Sequence, residues 1–371
     1  MYDYLIVGAG LFGSVFANKA QKAGKKCLVI DKRSHIGGNC FTKNLDGIEV
    51  HEYGAHIFRT SNKYIWNWLS TFVEFNNFVN TPIAVSHGVC YNLPFNMNTF
   101  SKIWGVIKPQ DAERIISEQS QEIQGTPRNL EEKAISLVGR DIYETFIKGY
   151  TKKQWGKDCD KLPASIIRRL PFRLTYNNNY FNSRYQGIPV NGYTDLFTKL
   201  LVDADIQLNT NFMDNPSFWT NQAKKVLFTG PIDEYFNYCF GELEYRGLEF
   251  KTERYSSNNY QGVAVVNYVD ECIPYTRSIE HKHFNNKDCD FTLVTYEYPR
   301  DWRKGDEPYY PINDEKNNQL YRTYYELARN SKNIIFGGRL GSYQYLDMED
   351  TILQSLELVS KEISFEAAIN Y

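Results

Sequence analysis

The 371-residue chain carries 42 Lys and Arg against 44 Asp and Glu, a formal net charge of −2. It therefore lacks the global basic field that gathers nucleic acid. Its 7 cysteines are odd in number and scattered without a C-x-x-C pair, which argues against a disulfide framework or a zinc site and for reduced, packing thiols. No run approaches the roughly 18 apolar residues of a membrane-spanning helix. Residues 1–20 lack a basic n-region and a cleavage site. The expectation is a cytoplasmic chain of about two or three domains with no metal, no nucleic-acid partner and no membrane insertion.

In chain order, Asp3-Tyr4-Leu5-Ile6-Val7 predicts a strand over 3–8, followed by a helix over 12–23 and a second strand over 26–30 that ends in Asp31. Ile65, Trp68, Leu69 and Phe72 at helical spacing predict the start of a helix within 62–79. Residues 81–95, bounded by Pro82 and Pro94, read as a short hairpin. From about 99 to 160 the pattern turns helical. One helix runs Asp111 to Gln124, and Asn129 caps another with Glu132 at the capping-box position. Leu130, Ala134, Leu137, Val138, Ile142 and Phe146 share one face of that second helix. After Asn177-Asn178-Asn179 strands are expected at 205–210, 224–230, 262–269 and 291–298. The chain closes on Ile334-Ile335-Phe336-Gly337-Gly338-Arg339 and a last helix, suited to completing the N-terminal sheet.

The opening residues carry the first chemistry. Strand, Gly8-x-Gly10-x-x-Gly13, helix, strand and acid in that order make a dinucleotide fingerprint. The first glycine makes the turn, the second admits a pyrophosphate, and the third lets helix pack on strand. The helix N-terminus then offers N–H groups to the phosphates, and Asp31 stands at the spacing of a ribose acceptor. Gly37-Gly38-Asn39 after Asp31 favours FAD over NAD. Two other readings can own such glycines: a flavin oxidoreductase of the amine-oxidase type or NAD-dependent dehydrogenase, and a non-catalytic nucleotide-sugar binding protein.

Further blocks carry a resemblance. They include Glu52-Tyr53-Gly54-Ala55-His56-Ile57-Phe58, Tyr91-Asn92-Leu93-Pro94-Phe95-Asn96 and Tyr150-Thr151-Lys152-Lys153-Gln154-Trp155-Gly156. Pro274-Tyr275-Thr276-Arg277, Glu297-Tyr298-Pro299 and Gly338-Arg339-Leu340-Gly341 follow in the same order. Together they resemble the bacterial UDP-galactopyranose mutases over nearly the whole chain. The resemblance implies interconversion of a UDP-hexopyranose and its furanose with no net redox change. It also implies reduced FAD, whose N5 attacks the anomeric carbon as UDP leaves, a homodimer, and a role in supplying furanose for surface polysaccharide.

It implies an α/β fold: a Rossmann-like FAD-binding domain with an inserted helical bundle and an antiparallel β-sheet domain. The expected division is 1–80 with 200–235 and 332–371 for FAD, 97–168 for the helices with a mobile loop at about 165–178, and 81–96, 179–199 and 236–331 for the sheet. Gly8, Gly10, Phe12, Gly13, Asp31, Lys32, Gly38, Asn39, His56, Arg339, Asp347 and Met348 are the implied cofactor-binding residues. Arg169 and Arg277 are the implied diphosphate-binding and catalytic arginines, with His56 near the flavin; arginine suits phosphate because its planar fork donates bidentately. Phe146, Tyr150, Gln154 and Trp155 fall where the family holds uracil, and Tyr180, Tyr310 and Tyr345 where tyrosines bond phosphate oxygens. By spacing alone, an aromatic pair at i, i+4 more often packs a core than holds a base.

Two positions depart from the family. Arg59 stands where a second histidine is usual, and Arg168 where lysine is common. Both put a five-donor fork where a smaller group is expected. This suggests a bulkier sugar bearing a 2-acetamido group, so UDP-N-acetylgalactosamine is a candidate substrate beside UDP-galactose.

Overall fold

The computed structural model describes residues 1–167 and 172–369. The chain divides into two compact units, Met1–Asn77 with Ser183–Tyr245 and Tyr310–Tyr371, and Phe78–Asn182 with Arg246–Tyr309.

The first unit is built on a five-stranded parallel sheet. Tyr2–Val7 lies at its centre, flanked by Cys27–Ile30 on one side and Ala223–Phe228 on the other. Asp205–Gln207 and Ile334–Phe336 form the edges. The central strands read as near-continuous apolar runs because both faces are covered; Tyr4, Leu5 and Ile6 are wholly buried. The helix Leu11–Lys22 packs against the last helix, Met348–Ile369, and Ser355 donates to the Phe12 carbonyl at 2.9 Å. The closing strand and helix thus complete the sheet that the first residues begin.

In the second unit an antiparallel-rich sheet takes its strands in the order Tyr245–Tyr255, Thr292–Asp301, Arg277–Glu280, Val265–Tyr268, Ile83–Ser86 and Val89–Asn92. A helical layer shares one core with it. Phe100, Leu130, Ile135, Val138, Ile142 and Tyr143 are fully buried there together with Ala84 and Val269 of the sheet side. This common core is why the structure groups helices and sheet in one unit, where the sequence suggested two. The segment 183–199 joins the first unit instead: Thr194 Oγ1 donates to the Thr42 carbonyl at 2.6 Å.

The second predicted helix is interrupted. Leu130–Val138 stops at Gly139, whose φ of 81° and ψ of 166° lie outside helical geometry, and the chain resumes at Arg140–Ile142. A wide turn over Tyr143–Ile147 then leads into the helix Lys148–Trp155. Asn129 caps as expected, accepting from the Glu132 N–H, but Glu132 reaches back to the Arg128 N–H. Among the elements not foreseen are the strand Tyr245–Tyr255 and the helices Gly192–Leu200 and Glu315–Arg329.

Candidate active site

In the first unit the glycine turn is closed around its own backbone. A Cβ at Gly8, where φ is +113°, would lie 2.1 Å from Thr229 Oγ1, and one at Gly13 would lie 2.2 Å from the Gly8 carbonyl oxygen. A Cβ at Gly38 would meet Gly10 Cα at 2.9 Å. The two glycine segments therefore approach as backbone on backbone. The helix Leu11–Lys22 begins at Gly10 with no side chain capping it, so its first N–H groups remain for a ligand. These residues fit the pyrophosphate of a dinucleotide. Phe12, largely buried, packs against Gly337 and Gly338, where the last strand turns.

Asp31 is 8% exposed and takes two backbone donors, Ala9 N–H at 2.8 Å and Arg33 N–H at 2.9 Å. Its oxygens thus brace the glycine turn, a task beyond the expected ribose contact. Lys32 is exposed, and Asn39 accepts from Arg33 Nη2 at 3.0 Å. Arg33 also lies over the Tyr53 ring at 4.4 Å, and His35 Nε2 meets the Tyr53 hydroxyl at 2.7 Å. Burial lowers the His35 pKa, so the ring is held neutral.

His56 sits just before the strand Phe58–Thr60. Its Nδ1 lies 2.8 Å from the Gly54 carbonyl, so that nitrogen carries a proton. Its backbone N–H donates to His51 Nδ1 at 3.1 Å. Arg59, on the same short strand, donates through Nη2 to Asp347 Oδ2 at 2.8 Å. Asp347 Oδ1 meanwhile accepts the Asp350 N–H at 2.9 Å and starts the last helix, in which Met348 is the first residue. Arg339 donates through Nε to the Leu346 carbonyl at 2.7 Å and lies over the Tyr345 ring at 4.8 Å, with the Tyr310 ring 5.8 Å from that of Tyr345. The structure thus gathers Arg339, Tyr345 and Tyr310 in one group, and Arg59 with Asp347 in another.

In the second unit Arg277 is paired across strands with Glu297. Arg277 Nη2 donates to Glu297 Oε1 at 2.9 Å and Oε2 at 2.7 Å, and Nε donates to Oε2 at 3.1 Å. The Glu297 side chain is 1% exposed and that of Arg277 26%. A buried carboxylate thus fixes the plane of the guanidinium. The helix Lys148–Trp155 carries Tyr150, Gln154 and Trp155, all half-buried, with Tyr150 and Trp155 packed at the margin of the helical core. Gly156 ends it with φ of 66°, and Arg246 Nε donates to the Gln154 carbonyl at 2.9 Å. Tyr180 donates its N–H to the Asn80 carbonyl and stacks edge-on with Phe181.

Phe146, expected beside the base, is a core side chain in the structure. It is 3% exposed, wedged between the rings of Tyr91 and Phe95, because the turn over Tyr143–Ile147 points it into the core. Arg168 and Arg169 lie outside the described residues. Sequence reasoning missed Glu297 and Lys153, both inside blocks it had singled out, and Thr229, whose position required the fold. Among the described residues no cluster of His, Cys, Asp or Glu is arranged to hold a metal, and no helix is long and apolar enough to cross a membrane.

Residues 145–345 match the family model of UDP-galactopyranose mutase, and residues 6–72 match that of an NAD(P)-binding Rossmann-like domain. The chain belongs to the UDP-galactopyranose mutase family. It is 38% identical to a Klebsiella pneumoniae protein named "Probable UDP-galactopyranose mutase", over 98% of this chain and 95% of that one. It is 37% identical to the dTDP-fucopyranose mutase of Escherichia coli, over 96% and 97%. A crystal structure of a reduced UDP-galactopyranose mutase shares the fold at a TM-score of 0.77 and 15% identity, covering 98% of this chain and 96% of that one. The chain is thus an isomerase of the sugar-mutase class with a Rossmann-like nucleotide-binding unit.

Proposed function

We propose that this mutase interconverts UDP-galactopyranose and UDP-galactofuranose, and also the UDP-N-acetylgalactosamine pair, using bound and reduced FAD. The reaction has no net redox change and supplies furanose for surface polysaccharide. The enzyme works in the cytoplasm as a homodimer. The observation that carries the reading is Arg277, a guanidinium fixed bidentately by buried Glu297 in the unit that also bears Tyr150 and Trp155.

When bound and reduced, FAD supplies N5 as a nucleophile toward the anomeric carbon. The glycines Gly8, Gly10, Gly13 and Gly38 and the open helix N-terminus hold its pyrophosphate. Arg339, Asp347 and Met348 orient the flavin side. His56, its ring oriented by the Nδ1 donation to the Gly54 carbonyl, lies near the flavin and the sugar. The diphosphate leaves as a polyanion, so the protein has to stabilise charge on its oxygens as the glycosidic bond breaks. Arg277 contributes directed N–H donors; because Glu297 cancels its net charge, Arg169 supplies the positive field. Tyr180, Tyr310 and Tyr345 add hydroxyl donors, and Tyr150 with Trp155 and Gln154 holds the base. Arg59 and Arg168 are the proposed donors to the 2-acetamido carbonyl, with Asp347 holding the Arg59 fork in place.

A dTDP-linked sugar is the second reading, favoured by the 37% identity to the dTDP-fucopyranose mutase. An assay of the reduced enzyme with UDP-galactose, UDP-N-acetylgalactosamine and a dTDP-hexose in parallel decides among them. Turnover of both UDP-sugars is the expected result. Turnover of the dTDP-sugar alone would replace this reading with the second.

A further inference from the structure

Lys153 lies in the helix Lys148–Trp155, between residues assigned to the base and one turn beyond Gly149, and no step above uses it. Its Nζ donates to three backbone carbonyls, those of Tyr268 at 2.7 Å, Ile273 at 3.1 Å and Tyr275 at 3.1 Å. These carbonyls frame the turn that joins the strands Val265–Tyr268 and Arg277–Glu280. An ammonium has three N–H bonds and no acceptor, so three converging carbonyls saturate it. No carboxylate touches it at hydrogen-bond distance among its described partners.

The turn leads straight to Arg277. Tyr275 stands two residues before it, and the Thr276 N–H donates to the Glu297 carbonyl at 2.9 Å. Arg277 is therefore anchored twice: its guanidinium by the Glu297 carboxylate, and its approaching backbone by Lys153. The same lysine ties that backbone to the helix bearing Tyr150 and Trp155. Arg246 secures the same C-terminal turn of the helix by donating to the Gln154 and Lys153 carbonyls at 2.9 and 3.5 Å.

We infer that Lys153 is a positioning residue for the reaction, which locks the base-holding helix to the Arg277 hairpin so that the nucleoside and diphosphate contacts keep a fixed separation. This rests on the reading of Arg277 as a diphosphate ligand. The lock depends on the charge state of the lysine. A neutral amine has two N–H donors and a lone pair, so one of the three carbonyls would face the lone pair and be repelled. Burial lowers the Lys153 pKa to about 8, against the opposing pull of Asp270, Cys272 and Glu271 on the turn. Of these, Asp270 accepts the His87 N–H and lies 3.6 Å from His87 Nδ1, while Glu271 pairs with Lys152, which also meets Asp158. Protonated below about pH 8, the lysine holds all three carbonyls; above it, the hairpin loosens.

The test uses the flavin-loaded enzyme and reads the dissociation constant of UDP and the KM of UDP-galactose from pH 7 to pH 9. The parent is expected to lose UDP affinity as pH rises through about 8. Lys153→Met is expected to bind UDP about tenfold more weakly at pH 7, with no further loss up to pH 9. Lys153→Arg keeps a charge over the whole range but cannot place a planar fork on three converging acceptors. It is expected to fall between the two at pH 7 and to show no decline. A parent whose UDP affinity is constant from pH 7 to pH 9 would overturn the inference, even if neither variant folds. So would a Lys153→Met protein with parental affinity. Arg277→Ala in the same assay separates the two claims: if it alone loses UDP affinity, only the role of Lys153 falls, and if it binds UDP like the parent, the reading of Arg277 falls with it.

Discussion

Arg59 Nη2 stands 2.8 Å from Asp347 Oδ2, joining a strand near the start of the chain to the first turn of its last helix. Asp347 serves two partners at once, since its other oxygen caps the Asp350 N–H at 2.9 Å. The two side chains are 34% and 31% exposed, so solvent screening keeps the pair's own contribution near or below about 1 kcal/mol.

The two tasks of Asp347 can be separated. Asp347→Asn retains the cap oxygen and loses the charge, and is expected to cost less than about 1 kcal/mol. Asp347→Ala loses both and is expected to cost about 0.5–2 kcal/mol more. Urea unfolding of the two variants, and of each combined with Arg59→Ala, checks this. Equal losses for Asn and Ala would remove the capping role.

Arg59→His is expected to leave UDP-galactose turnover in place and lower the relative rate on UDP-N-acetylgalactosamine by about tenfold, the loss of one charge-assisted hydrogen bond to a carbonyl. The ratio of kcat/KM for the two sugars is the readout. An unchanged ratio would remove Arg59 from the specificity argument.

Glu297 is buried and orients Arg277 through three hydrogen bonds. Glu297→Gln keeps the shape but offers one acceptor in place of two, and is expected to raise the KM for UDP-galactose at least about tenfold, equivalent to about 1.4 kcal/mol. A variant with normal KM and reduced stability alone would show that the pair is structural.

Acid stability has a defined source in the second unit. Burial would raise the Glu280 carboxyl, but His283 and the Tyr260 and Gln261 N–H groups, with Thr292, outweigh it and hold the pKa at about 2 rather than 4.5. Burial holds His281 down at about 3, from 6.5, with Nε2 2.7 Å from Thr295 Oγ1. Both pKa values are depressed on folding, so the unfolded chain binds more protons and stability falls as the solution is acidified. The loss is expected to begin near pH 6.5 through His281 and to steepen from pH 4.5 towards 2 through Glu280. The stability gap between the parent and Glu280→Gln should be full at pH 7 and shrink across that lower window. A gap that stays constant down to pH 3 would contradict the assignment.

Gly13→Ala puts a Cβ 2.2 Å from the Gly8 carbonyl oxygen, a backbone atom that cannot move away cheaply, and 3.0 Å from the Ile6 side chain. It is expected to abolish flavin retention, read as the absorbance of flavin per mole of purified protein. Parental flavin content would show that the cradle does not hold the cofactor.

Gly8, Gly10, Gly13 and Asp31 were legible in the sequence because their chemistry is local: a turn, a helix start and an acid at fixed spacing. Arg277 was legible only through resemblance, and its partner Glu297 was not, because a cross-strand pair appears only once the register of two strands is known. The strand Tyr245–Tyr255 escaped notice since four successive residues, Lys251 to Arg254, are all exposed and give no alternation. The apolar stripe from Leu130 to Phe146 was legible too: Leu130, Ala134, Val138, Ile142 and Phe146 share one core, although the break at Gly139 and the turn at Tyr143–Ile147 were not foreseen. Lys153 carried no reading of its own in the sequence, and only the turn packed above it reveals three carbonyls.

The proposed reaction requires the flavin to act without net electron transfer. The measurement that tests it most directly is an anaerobic assay of the stoichiometrically reduced enzyme with UDP-galactofuranose, following sugar by chromatography and flavin by absorbance. The expected result is many turnovers to UDP-galactopyranose with the flavin still reduced and no reductant consumed. Reductant consumed in proportion to product, or no conversion by fully reduced enzyme, would contradict the account.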